Sequence, residues 1–210
     1  MPGLVRLLAI LLLLGTVLLS IGAVFHPVLA GDAAAQLRTI ATTPHWRTLH
    51  LLMLAGSGLV AAGIWVRLVT DRGAATSALA AALALIGVGV VLNALNIAYM
   101  AGAGTHLASL FAGGQSDASR LFEATHPIGL MSARFGNFLV ALGALVLGMV
   151  EWQEVIRPRW LALLAWAAAA AGFIGVLFFD ESSRAALAAV AVLSGWQVVT
   201  AVRALREART

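Results

Sequence analysis

The chain has no cysteine and no lysine among its 210 residues, and only 10% of it is charged. The first absence excludes disulfides, thiolate metal sites and cysteine nucleophiles. The second leaves Arg as the only strong cation, 13 in all against 9 acids. With heavy use of Ala, Leu and Gly, that reads as a GC-rich bacterial composition. The scarcity of charge excludes a water-soluble domain, which carries roughly 25% charged residues. The sequence pI of about 11.3 does not make a nucleic-acid protein, because the arginines are scattered between apolar runs and form no basic stripe. Absent too are an internal repeat, His-x-x-x-His spacing and any elbow-type setting for Ser57 or Ser132.

What is present is apolar: 61% hydrophobic residues and a mean hydropathy of +0.98. Six runs, at residues 4–25, 46–69, 75–99, 127–150, 160–179 and 185–202, each approach the length a membrane helix needs, about 20 residues. The expected fold is therefore all-α, a single polytopic bundle of about six spans. With the N-terminus inside, Arg6, Arg67, Arg72, Arg157, Arg159, Arg203, Arg206 and Arg209 are cytoplasmic, while Arg38, Arg47, Arg120 and Arg184 are outside. That asymmetry favours both ends inside and a place in the bacterial cytoplasmic membrane. Trp46, Trp65, Trp152 and Trp160 sit at span ends, where indoles anchor. The first run followed by Val28-Leu29-Ala30 also has the look of a secretory signal cut before Gly31, but its apolar stretch exceeds the usual length of about 7–15 residues. A retained helix is the expectation.

Two outer connections are long. Residues 26–45 offer a short helix capped by Asp32 and closed by Pro44; residues 100–126 offer two short segments divided by Gly113-Gly114. Both mix apolar and polar groups, which predicts interfacial helices lying along the membrane surface.

All five histidines, His26, His45, His50, His106 and His126, fall on that outer side. Inside the spans, polar residues are costly and tend to face the bundle or a wet cavity. Arg134 with Asn137, and Asn93 with Asn96, are pairs three residues apart at matching depth, while His50 shares a helix face with Leu54, Ser57 and Ala61. Gly129, Gly136 and Gly143 recur every seven residues, nearly opposite Arg134 and Asn137, and form a seam for close helix packing. Asp180 or Glu181, and after them Glu123, are the candidate partners of Arg134. One reading makes these residues an inter-helix pin. The other makes His50, Asn93, Asn96, His126, Arg134, Asn137 and Asp180 a ligand-binding pocket in the outer half, suited to an anionic or carbonyl group. No cofactor is favoured; a haem or other metal would require His50 and His126 to face each other.

Gly31-Asp32-Ala33-Ala34-Ala35, Thr43-Pro44 with Arg47, and Arg157-Pro158-Arg159-Trp160-Leu161 resemble segments of six-helix bacterial integral membrane proteins, a family with no agreed activity. The resemblance implies the topology and assigns no functional residue. A binding or sensing protein comes first among the functions. A scaffold or accessory subunit is next, meeting another membrane protein or a second copy through a small-residue seam of Ala168, Gly172 and Gly175. An outer-leaflet enzyme carrying haem or a metal is third. Transport is less suited to a short chain without repeats or Pro-broken spans.

Overall fold

The computed structural model describes residues 2–70, 76–154, 158–178 and 184–208. Among these the secondary structure is helical throughout, with no strand. The elements are α1 (Pro2–Phe25), α2 (Ala33–Thr42), α3 (Trp46–Gly63), α4 (Val66–Thr70), α5 (Thr76–Tyr99), a π-helical turn (Met100–Gly104), α6 (Thr105–Ala112), α7 (Asp117–Gln153), α8 (Trp160–Phe178) and α9 (Arg184–Glu207). Five of the described helical stretches are long and apolar enough to cross a membrane: Pro2–Phe25, Trp46–Thr70, Ser77–Ala112, Asp117–Gln153 and Trp160–Phe178. Helix α9, which carries Gln197, Thr200, Arg203, Arg206 and Glu207, is not among them.

The long helices close into a ring in chain order. Helix α1 packs on α3, α3 on α5, α5 on α7, α7 on α8, α8 on α9, and α9 returns to α1. Small residues set the tightest pairs. A methyl group on Gly15 would come within 2.7 Å of the Gly56 carbonyl oxygen, and one on Gly136 within 2.5 Å of that of Gly89. Gly143 meets Ile86 and Ala82 on α5, and Gly129 meets Asn96. The seven-residue seam on α7 is thus the α5 contact. Outward faces are apolar and uncovered, with Leu7, Leu14, Val91, Leu95, Ile128, Phe135 and Leu163 all exposed, as lipid-facing positions are.

One end of the ring is sealed. Leu12, Val60, Ile64, Leu79, Leu83, Ile86, Leu147 and Trp196 form an apolar floor. Beyond it Arg67 Nη2 meets Glu151 Oε1 at 2.6 Å, and Arg6 donates to the Ala208 carbonyl across α1 and the end of α9.

The other end carries a cap, and here the sequence-based expectation needs correction. Helix α2 forms as expected, with Asp32 Oδ1 accepting from the Ala35 amide at 2.8 Å. Residues 100–126 form helical segments on either side of Gly113-Gly114, Thr105–Ala112 and from Asp117, but both continue the long helices instead of standing apart from them. The chain stays helical from Ser77 to Ala112, turns at Gly113 and Gly114 (φ +88°), and re-enters the single 37-residue helix α7. A helix of that length runs about 55 Å, well beyond the roughly 30 Å hydrocarbon core. The turns beyond a membrane's thickness bury their apolar faces on each other. Leu37 and Ile40 of α2, Trp46, Met100, Leu107, Ala108, Ala118 and Phe122 form a second core.

Candidate functional site

Above the floor and below the cap, the ring lines a partly open cavity of about 270 Å³. Every helix of the ring contributes to its wall: Leu19 and Ala23 from α1, Met53 and Ser57 from α3, Asn93 and Asn96 from α5, Arg134 and Asn137 from α7, Gly172 and Gly175 from α8, Ser194 and Gln197 from α9. His26, one residue past α1, lines it as well.

Four of the seven residues singled out from the sequence therefore meet at one place: Asn93, Asn96, Arg134 and Asn137. Asn93 Nδ2 donates to Asn137 Oδ1 at 2.8 Å, which leaves the Asn137 amide nitrogen as that side chain's donor end. Asn137 is less far round α7 from the glycine seam than expected, since its partner lies on the very helix the seam faces. Asn96 buries its Oδ1 against Gly129 and accepts no hydrogen bond there, so its NH2 is the end left for the cavity. Arg134, whose side chain is already engaged in another interaction, also lines the wall. The polar wall is rich in donors.

Of the other three, His50 and His126 fall elsewhere. Asp180 lies outside the described residues, as does Glu181. Glu123 is exposed on α7, 11 residues before Arg134; three helical turns along one axis keep the two apart. His126 is packed in the cap, its ring centroid 4.5 Å from Phe122 and 6.1 Å from Tyr99. His50 is buried one step behind the cavity wall. Its Nδ1 lies 2.9 Å from the Trp46 carbonyl oxygen, and its Nε2 lies 3.2 Å from His26 Nε2. The face-to-face approach of His50 and His126 that a bis-histidine haem requires is not made: His50 Nε2 faces His26, and the His126 ring packs against Tyr99 and Phe122.

Sequence reasoning did not place His26, Ser194 or Gln197 in the pocket. His26 sits beyond the last turn of α1, where helical periodicity stops giving direction. Gln197 lies within the last apolar run. It is buried within 2.9 Å of the Thr16 hydroxyl, tying α9 to α1. The cap's π turn positions this end of the site. It releases the Met100 carbonyl from the α-helical pattern, and the Trp46 indole (3.3 Å) and Thr105 hydroxyl (2.9 Å) donate to it. Trp46, so held, packs against both histidine rings, 4.8 Å from His26 and 4.4 Å from His50. Burial, and after it the neighbouring His50, pull His26 down to about 4 against the backbone of Pro27, which acts the other way. The ring is neutral near pH 7.

The small-residue seam of α8 is used inside the bundle. Ala168 is fully buried, Gly172 lies against Ala141 of α7, and Gly175 lies against Ala189 of α9. Among the described residues no three His, Asp or Glu side chains converge.

Fold and cavity together define an all-α, multi-pass membrane protein. No protein-family profile, curated protein or solved structure matches the chain.

Proposed function

We propose that the chain is a six-span protein of the bacterial cytoplasmic membrane that binds a small hydrogen-bond-accepting molecule, a carboxylate or carbonyl compound, in the central cavity. The observation that carries this reading is the convergence of the Asn96 and Asn137 amides from α5 and α7, beside Arg134, on one cavity of about 270 Å³. A cavity of 150 Å³ in a protein core admits benzene, so this one suits a molecule of roughly twice that size.

Helix α9 supports the sixth crossing. Its 24 residues give about 36 Å of rise, and it runs beside α1 until Ala208 reaches Arg6. Arg6, Arg67, Arg203 and Arg206 share the end away from the cap, which favours that end as cytoplasmic and the histidine-bearing cap as external.

The test uses the absence of native cysteine. Ser57→Cys and Ser194→Cys, in purified full-length protein in nanodiscs, are expected to react with a small water-soluble methanethiosulfonate. Members of a panel of small carboxylates and quinone-type carbonyl compounds are expected to slow that reaction, and Arg134→Gln to remove the protection. Unreactive thiols at both positions, or no protection by any member of the panel, would overturn the reading.

A further inference from the structure

The polar groups of the cavity lie at one level of the bundle. Measured from the end away from the cap, Thr76 to Asn96 is about 30 Å of helix and Trp152 to Arg134 about 27 Å. Trp152 is an exposed indole at that end, of the kind that marks a membrane boundary. The hydrocarbon core is roughly 30 Å thick. The amides and the guanidinium therefore stand where the headgroups of the cap-side leaflet begin. Val90 and Val140, nearly one turn closer to the floor and part of its apolar core, line the cavity beneath them.

The surroundings of the cavity sort by polarity as well. The cap packs on α3, α5 and α7, over the side that carries the amides. From α1 and α8 the wall is apolar, ending in Ala23 and Val176. The residues that follow these two, Val24, Phe25, Leu177 and Phe178, are 64–77% exposed. The apolar wall thus runs on to the outer surface of the bundle, where the neighbour is hydrocarbon. A chamber of about 270 Å³, less than twice one that holds benzene, takes a headgroup and the first part of a chain. The remainder of a longer molecule stays outside.

We propose that the acceptor held in the cavity is the headgroup of a single-chain lipid from the cap-side leaflet, a fatty acid being the simplest. The Asn96 and Asn137 amides donate to its carboxylate, and its first methylenes lie against Ala23 and Val176. The rest of the chain leaves by the open side, along the last turns of α1 and α8. The inference rests on the acceptor-ligand reading and narrows it, because a small soluble carboxylate would use the amides and leave the apolar wall without a partner.

The experiment uses wild-type full-length protein in nanodiscs and a fatty acid carrying a photoactivatable diazirine in mid-chain. Labelling is expected to saturate and to map to residues 19–26 and 172–178. Unlabelled palmitate is expected to compete. Acetate, which has the head without the chain, and hexadecylamine, whose ammonium can only donate, are expected not to. Asn96→Ala is expected to weaken labelling about tenfold, as the loss of one well-made hydrogen bond does; if that variant fails to fold, the competition pattern of the wild type decides. Competition by acetate as strong as by palmitate would overturn the lipid and leave the acceptor-ligand reading standing. Equal competition by hexadecylamine would overturn both, since the head would then go unread. Unsaturable label spread over every lipid-facing helix would overturn the lipid alone, and protection of Ser194→Cys by small carboxylates would still judge the other reading.

Discussion

Gly136 shows how little room the central helices leave one another. The nearest atom to a methyl group placed there is the Gly89 carbonyl oxygen, at 2.5 Å, with the Asn93 amide nitrogen at 2.8 Å. Both are backbone, so no side chain can rotate away and one helix must move. Gly136→Ala is expected to cost about 1–3 kcal/mol, the usual range for overpacking. Gly58→Ala, on α3 with nothing within 4 Å of the added carbon, is expected to be neutral or to gain up to about 1 kcal/mol from helix propensity. Thermal denaturation of the two variants in the same detergent separates the effects; equal midpoints would contradict the tight α5–α7 contact. The residues of the cavity wall divide along the same physical line. Asn93, Asn96, Arg134 and Asn137 are legible in the sequence because each interrupts an apolar helical run, where periodicity supplies depth and face. His26 is not, since a residue just past a helix takes its direction from the turn that follows. His126 misleads for the opposite reason: its depth fits a pocket, but an aromatic cluster with Tyr99 and Phe122 claims its ring.

Helices α6 and α7 carry the largest departure from the sequence-based expectation. Gly102 and Gly104, like Gly113 and Gly114, lie in the outer connection expected over residues 100–126. The first pair of glycines instead sits in a π turn that keeps the helix going, and only the second reverses the chain. What distinguishes them is tertiary: α2 covers α6 and the start of α7, and no local pattern announces that partner. Phe122, 1% exposed in the cap core, tests the cap as a unit. Phe122→Ala is expected to cost about 3–5 kcal/mol if that core is cooperative. Hydrogen exchange should then accelerate over residues 105–125 while the α5–α7 amides around the glycine seam keep their protection. Faster exchange spread evenly over the bundle would show that the cap has no independent core.

Composition alone makes the molecule a helical membrane bundle, because so few charges cannot clothe a soluble surface. The order in which the helices close is a different matter. Apolar faces of membrane helices look much alike, and lipid and neighbour compete for them on similar terms, so sequence does not say that α9 returns to α1. The topology proposed from the arginines is checked with single cysteines at exposed sites. In intact bacterial cells a membrane-impermeant maleimide is expected to label Gln115→Cys in the cap, and to label Arg206→Cys only after the membrane is opened. Labelling of both from outside would mean that α9 does not cross.

Ring closure through the last helix has a consequence for biosynthesis. The wall formed by Ser194 and Gln197 emerges from the ribosome after every other wall of the chamber is already made. Until that strip docks, the amides and guanidinium on α5 and α7 face a gap in the fence and have lipid, or a passing chaperone, for company. Docking of that helix narrows the chamber to the opening it keeps in the finished fold.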